Sequence, residues 1–196
     1  MARGNQIRII AGRHRGRRLP FPSVPGLRPT PDRLRETLFN WLQSEIAGRR
    51  CLDLFAGSGA LGLEALSRGA AFVRFVERDP RAARQLQDNL ATLNAGPAAA
   101  LSRSDALRWL KRPNAEPPFD LVFLDPPYAR DLLPRVCRLL EENGWLAPDA
   151  LIYLEQDSHR PWAPLPEGWT VHREATAGQA AARLVRRARI DDPLSG

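Results

Sequence analysis

The run Leu124-Asp125-Pro126-Pro127-Tyr128 sets a carboxylate, two rings lacking an N–H group and an aromatic face at the end of an apolar stretch, 120–124. Proline cannot extend a central strand, so the pair closes one, and its fixed φ holds the local carbonyls in set directions. Asp125 and a proline carbonyl then make two acceptors, which match the two donors of an exocyclic base amine. An aromatic amine is a poor nucleophile because its lone pair is delocalised into the ring. Accepting both N–H bonds out of the ring plane frees that lone pair to displace a methyl group from a sulfonium centre in line. Catalysis of this kind comes from positioning and electrostatics more than from a strong base. Asp125 takes the proton after transfer, and Tyr128 stacks on a base turned out of its helix or loop. The plainer reading of Asp-Pro-Pro is a turn leaving a strand.

A second pattern, Gly57-Ser58-Gly59-Ala60-Leu61-Gly62, fits G-x-G-x-x-G between a strand and a helix. Glycines let backbone approach a ligand closely, and the helix N-terminus favours negative charge. Dinucleotide enzymes and S-adenosylmethionine enzymes share this pattern, and a tight turn without a ligand shows it too. Three acids add to it. Glu77 ends the second strand, where a carboxylate can accept from both ribose hydroxyls. Asp105 follows a third strand, where it can meet an adenine amino group. Asp53 lies inside the first strand, where a buried carboxylate is costly unless something cationic or hydrogen-bonding meets it. The ammonium of a methionine moiety would serve, as would backbone N–H groups of the loop. For Glu77 and Asp105 the plainer reading is a solvated strand end.

The elements that must position these residues follow from periodicity. Apolar strands are predicted at 51–55, 71–77, 98–103, 120–124 and 150–156. A helix follows the glycine loop and closes at Gly69; another starts at Asp79-Pro80; a third carries Leu132, Leu133, Val136, Leu139 and Leu140 and ends at Asn143-Gly144. This alternation predicts a parallel sheet with helices on both faces, whose ligands bind at the C-terminal strand ends. Stretches 169–176 and 180–188, separated by three residues, predict an antiparallel hairpin on the sheet edge. Ahead of the sheet, 8–22 suggests a hairpin. Residues 27–42 suggest a helix capped by Thr30, with Pro31 in its first turn and Leu34, Leu38, Trp41 and Leu42 buried. The expected division is a basic arm over 1–47, an alternating body over 48–190 and a frayed tail over 191–196.

The chain has 196 residues and 43% hydrophobic content, enough for one packed domain with an appendage. Its +7 charge is local. Residues 1–35 hold nine arginines and one acid, Asp32, and all basic residues of the chain except Lys111 are arginine. Arg8, Arg13, Arg15, Arg17, Arg18, Arg28, Arg33 and Arg35 can track nucleic-acid phosphates, where the planar guanidinium fork suits the ligand; a solvated basic tail is the alternative. Cys51 and Cys137 have no metal-ligand spacing, nor have the three histidines, so no metal is expected, and a reduced cytoplasmic setting is the simpler one. No apolar run reaches about 18 residues, and the basic N-terminus lacks a secretory h-region. The tryptophans at 41, 109 and 145 read as packing.

Several segments together resemble a known family. Asp125-Pro126-Pro127-Tyr128 resembles the [DN]-P-P-[YF] motif of amino-group methyltransferases, and 53–70 looks like their first motif. The stretch Ile9–Leu42 and the ending Gly178–Leu184 narrow the likeness to bacterial 16S ribosomal RNA guanine-N2 methyltransferases, over roughly 8 to 187 of the sequence. The resemblance implies an α/β class I S-adenosylmethionine-dependent (Rossmann-like) fold: a mostly parallel sheet, a C-terminal antiparallel hairpin and a small basic N-terminal extension. It implies cofactor contacts at Asp53, Phe55, Ala56, Gly57, Gly59, Glu77, Arg78 and Asp105, and catalysis at Asp125, Pro126, Pro127 and Tyr128. The implied partner is 16S ribosomal RNA within the 30S subunit or its precursor; a monomer is expected, because ribosomal RNA must reach a single open face. The four-residue motif does not itself separate guanine N2 from adenine N6 or cytosine N4 of DNA, and the basic arm alone would also suit a non-catalytic assembly factor.

Overall fold

Strand and helix patterns alternate along the chain, and the computed structural model, which describes residues 5–25, 30–128 and 130–188, realises them as one seven-stranded sheet. Arg28 and the tail 191–196 lie outside the described residues. Strands β1 (Gln6–Arg8) and β2 (Arg18–Pro20) form a separate antiparallel pair, followed by helix α1 (Asp32–Trp41). Then come β3 (Arg50–Asp53), α2 (Ala60–Ser67), β4 (Phe72–Glu77), α3 (Pro80–Thr92), β5 (Ala99–Arg103), α4 (Ala106–Leu110), β6 (Phe119–Leu124), α5 (Leu133–Glu142) and β7 (Leu146–Asp157). The hairpin β8 (Trp169–Ala177) and β9 (Ala180–Arg187) ends the sheet. The strand order is β5-β4-β3-β6-β7-β9-β8, parallel from β5 to β7 and antiparallel beyond.

This order reverses direction between β3 and β6, which are adjacent although three helices separate them in sequence. Helices leave the two strands on opposite sides there and open a crevice above their C-terminal ends. Each strand supplies both faces of the sheet by alternation. Leu121 and Phe123 join the core beneath α1 and α2, whereas Val122 and Leu124 join the core beneath α4 and α5. On the second face the rings of Trp109 and Trp145 stack at 4.1 Å. Both cysteines are free and buried; burial raises both thiols, Cys137 to about 12. Among the described residues no helix is long and apolar enough to cross a membrane.

The N-terminal segment packs on the first face. Ile7, Ile9, Leu19, Leu34, Leu38, Phe39 and Leu42 are all buried in that core. Phe39, not Trp41, takes the inward place on α1: its ring lies 6.0 Å from Phe123, while Trp41 is half-buried. The turn between β1 and β2 is bonded to α2. Glu64, fully buried, accepts from the backbone N–H groups of Ile10 (2.8 Å) and Ala11 (3.0 Å) and from Arg68 Nε (2.7 Å). Those three donors offset the desolvation of a carboxylate that would otherwise stay in water. Ser67 Oγ donates to the Ala11 carbonyl and accepts from His14 N–H, and the Ser67 carbonyl accepts from Arg13 N–H at 2.8 Å.

Gly12 makes this contact possible. Its φ is +79°, and a Cβ there would sit 1.9 Å from the Ser67 carbonyl oxygen, which is backbone and has nowhere to go. Gly12→Ala is therefore expected to lift the turn off α2 at a cost of about 2–3 kcal/mol. Thermal unfolding together with amide exchange at Ile10 and Ala11 reads it: lowered stability with faster exchange at both amides is expected, and wild-type exchange would contradict the contact.

Candidate active site

Four acids stand at the C-terminal ends of four neighbouring strands: Glu77 on β4, Asp53 on β3, Asp125 just past β6 and Glu155 near the end of β7. Among the described residues none of the four forms an ion pair. Each is held by neutral donors instead. Asp53, 3% exposed, accepts from Gly62 N–H at 2.9 Å. Glu77 accepts from Gly57 N–H with one oxygen and from Asp79 N–H with the other, both at 2.7 Å. Asp125 Oδ2 accepts from Thr30 Oγ1 at 3.1 Å. Glu155, 1% exposed, accepts from the Tyr128 and Tyr153 hydroxyls, each at 2.7 Å.

At Asp53, Asp125 and Glu155 neutral donors only partly repay the loss of water, so protons bind more tightly there. Burial lifts the Asp53 carboxyl from 3.8 to about 7; the Gly62 hydrogen bond opposes this and the Glu77 charge adds to it. Asp125 rises well above the usual carboxylate range, first through burial and then through the Glu155 charge, with Thr30 opposing and Asp53 adding. Glu155 rises through burial against the Tyr128, Tyr153 and Thr30 hydroxyls. The Tyr128 hydroxyl is raised too, by burial and by Glu155.

The glycine loop closes one side of the crevice. Gly59, at φ +80°, is the N-cap of α2, and a Cβ there would meet Leu86 Cδ1 at 2.6 Å. Ala56 N–H donates to the Val76 carbonyl at 3.0 Å, tying the loop to β4, and Phe55 is half-buried against the second core. On the other side, Pro126, Tyr128, Leu133, Glu155 and Trp162 line a cavity of about 320 Å³. Among the described residues no group of three His, Cys, Asp or Glu side chains is placed to hold a metal ion.

Asp53, Glu77, Gly57, Gly59 and Asp125 thus come together around one crevice. Asp105 is exposed and caps α4, its Oδ1 accepting from Arg108 N–H at 3.1 Å. Both Glu77 oxygens already accept backbone N–H groups, so ribose hydroxyls would share them. Arg78 is exposed. Thr30 does not cap α1; Pro31 is the N-cap, no side chain caps the helix, and the Thr30 hydroxyl turns to Asp125. Of the arginines proposed for nucleic acid, Arg8, Arg13, Arg15, Arg17, Arg18 and Arg33 are exposed. Among the described residues they have no acidic partner. Arg35 corrects the expectation. It is 1% exposed and donates to the Arg8 carbonyl and to Asp32 Oδ1, both at 2.9 Å, so it serves the fold and not the surface.

Sequence reasoning missed Thr30, Glu155 and Tyr153. Glu155 was discernible: it is the lone acid of an apolar strand, Ala150–Gln156, the same signal that marked Asp53 and Glu77. Thr30 was hidden by its resemblance to a helix cap.

The chain is similar to known proteins over most of its length. The family model described as Conserved hypothetical protein 95 matches residues 7–186. The ribosomal RNA small subunit methyltransferase D of Escherichia coli K12 is 53% identical over 182 residues, covering 93% of this chain and 90% of the relative. Its Haemophilus influenzae counterpart is 49% identical over 180 residues, covering 91% and 93%. The solved structure of yhhF from Escherichia coli superposes with a TM-score of 0.87 at 50% identity, over 94% of this chain and 99% of that one. With the class I methyltransferase sheet and a matching family model over nearly its whole length, the chain belongs to the family of the ribosomal RNA small subunit methyltransferase D proteins.

Proposed function

We propose that the chain transfers a methyl group from S-adenosylmethionine to the exocyclic N2 amine of a guanine in 16S ribosomal RNA, on the 30S subunit or its assembly precursor, acting as a monomer in the cytoplasm. The observation that carries the reading is the row of four carboxylates on adjacent strand ends with no cationic partner among the described residues, beside a glycine loop and two prolines. A site this acidic suits a ligand that brings positive charge and offers N–H donors.

S-adenosylmethionine fits, because its ammonium and sulfonium supply the missing cations and the sulfonium supplies an activated methyl group. Asp53 and the Gly57–Gly59 backbone would hold its methionine end, and Glu77 its ribose. Asp125 then accepts one N–H of the guanine amine and a carbonyl of the Pro126-Pro127 pair accepts the other. When bound, S-adenosylmethionine would supply the methyl group, its C–S bond giving way to the new N–C bond, and Asp125 would take the proton that the amine gives up. Tyr128, with its hydroxyl fixed on Glu155, presents a ring of set orientation to the base. The relatives named for small-subunit RNA support the substrate, and the exposed, unpaired arginines of the β1–β2 hairpin suit its phosphates.

Labelled cofactor, incubated with 30S particles lacking the modification, is expected to place label on one guanine N2, read by nuclease mapping and mass spectrometry. Label absent from RNA, or preferred on duplex DNA, would reject the substrate. Asp125→Ala is expected to cut turnover by roughly a hundredfold or more while sparing cofactor binding.

Asp53 gives a pH test. Its folded-state pKa is raised, so it costs stability as pH rises from about 4 through about 7, and a bound cation would lower it again. Cofactor affinity should therefore rise with pH up to about 7 and then flatten, with proton release on binding seen by calorimetry in two buffers. Asp53→Asn should remove the dependence; a wild-type pH profile in that variant would contradict the assignment.

Six exposed arginines imply that log K for RNA falls against log salt with a slope of about −4. Arg15→Ala and Arg17→Ala should each make the slope shallower by about 0.7. Arg35→Ala should leave the slope unchanged and lower the melting temperature; a changed slope would return Arg35 to the RNA surface.

A further inference from the structure

Just ahead of α1 the chain reaches the reacting groups at one atom. Thr30 is 4% exposed, and its hydroxyl donates to Asp125 Oδ2 across 95 positions of sequence. A threonine just before a proline and an aspartate ordinarily caps its helix, and here it does not. A capping bond has been given up for one to the carboxylate of the Pro-Pro loop.

We infer that Thr30 is a positioning residue of the active site: its hydroxyl commits one oxygen of Asp125 to the protein and leaves the other turned to the target amine. The inference rests on the role of Asp125 given above. A carboxylate held at one oxygen keeps a defined plane, and a near-attack geometry loses rate steeply when an acceptor rotates away. The neighbours of Asp125 do not supply this restraint. Glu155 faces it from β7 and Asp53 from β3, both as like charges. The hydroxyls of Tyr128 and Tyr153 are spent on Glu155. Among the described residues Thr30 is the one side-chain donor to Asp125. The same hydrogen bond favours the ionised form of Asp125, the form that can take up the proton of the amine.

Thr30 is itself tied to the RNA-facing hairpin. Within the first turn of α1 the buried Arg35 donates to the Arg8 carbonyl on β1. The strand that carries Arg8 and the helix that follows Thr30 are thereby bonded to one another.

Thr30→Val keeps shape and removes the donor; Thr30→Ser keeps the donor. Single-turnover methyl transfer to unmodified 30S particles, cofactor calorimetry, and carbon-13 titration of the Asp125 carboxyl in the free protein separate the possibilities. For Thr30→Val the rate constant should fall roughly ten- to a hundredfold with cofactor affinity unchanged. The Asp125 titration and the acid limb of the rate profile should both move to higher pH, and Thr30→Ser should restore all three. A Val variant with wild-type rate and an unshifted Asp125 titration overturns the inference, as does a Ser variant as slow as Val. If wild-type protein transfers no methyl group to the particles, the substrate reading fails. The Asp125 titration, read without substrate, then still decides whether Thr30 holds that carboxylate.

Discussion

Carboxylates drawn out of water with no cationic partner among the described residues are the constraint on which the rest of this structure depends. A charge taken out of water costs several kcal/mol unless a partner replaces the lost hydration. Asp53, Glu77 and Glu155 are buried and Asp125 is half-buried, and among the described residues each has only neutral donors: backbone N–H groups for Asp53 and Glu77, a threonine for Asp125, two tyrosines for Glu155. The sheet order makes this possible. The reversal between β3 and β6 leaves their ends uncovered by helices, so like charges converge where a ligand can reach them. The stability forgone at these strand ends is recovered in two continuous apolar cores, one on each face of the sheet.

The N-terminal segment is bound to this arrangement from two directions. Glu64 and Ser67 of α2 grip the β1–β2 turn, and α2 starts at the glycine loop. Arg35 grips β1 from α1, and the residue before Pro31 grips Asp125. Hydrogen bonds therefore tie the backbone that carries the exposed arginines to α1 and α2, the helices next to the crevice. RNA met at the hairpin would be set against that crevice, which suits a reaction that works by positioning.

Much of this was legible in the residues. Strand and helix alternation, the Asp79-Pro80 start, the Gly69 and Gly144 stops and the terminal hairpin all follow from local rules, and the strand ends so placed bring Asp53, Glu77 and Asp125 into one crevice. What was not legible depends on partners far away in sequence. The Thr30 pattern is that of a cap, and only the approach of Asp125 redirects its hydroxyl. Arg35 sits in a run of arginines and looks like its neighbours, yet its helical phase turns it inward while Arg33 faces out. The capping role of Asp105 was hidden because α4 is too short, five residues, to announce itself by periodicity.

The structure of the chain with S-adenosylhomocysteine bound tests the central claim most directly. The sulfur is expected between the Gly57 loop and Asp125, the amino group beside Asp53, and the Thr30–Asp125 hydrogen bond intact with one Asp125 oxygen open to the crevice. A sulfur lying away from Asp125, or an Asp125 carboxylate turned into the core, would contradict it.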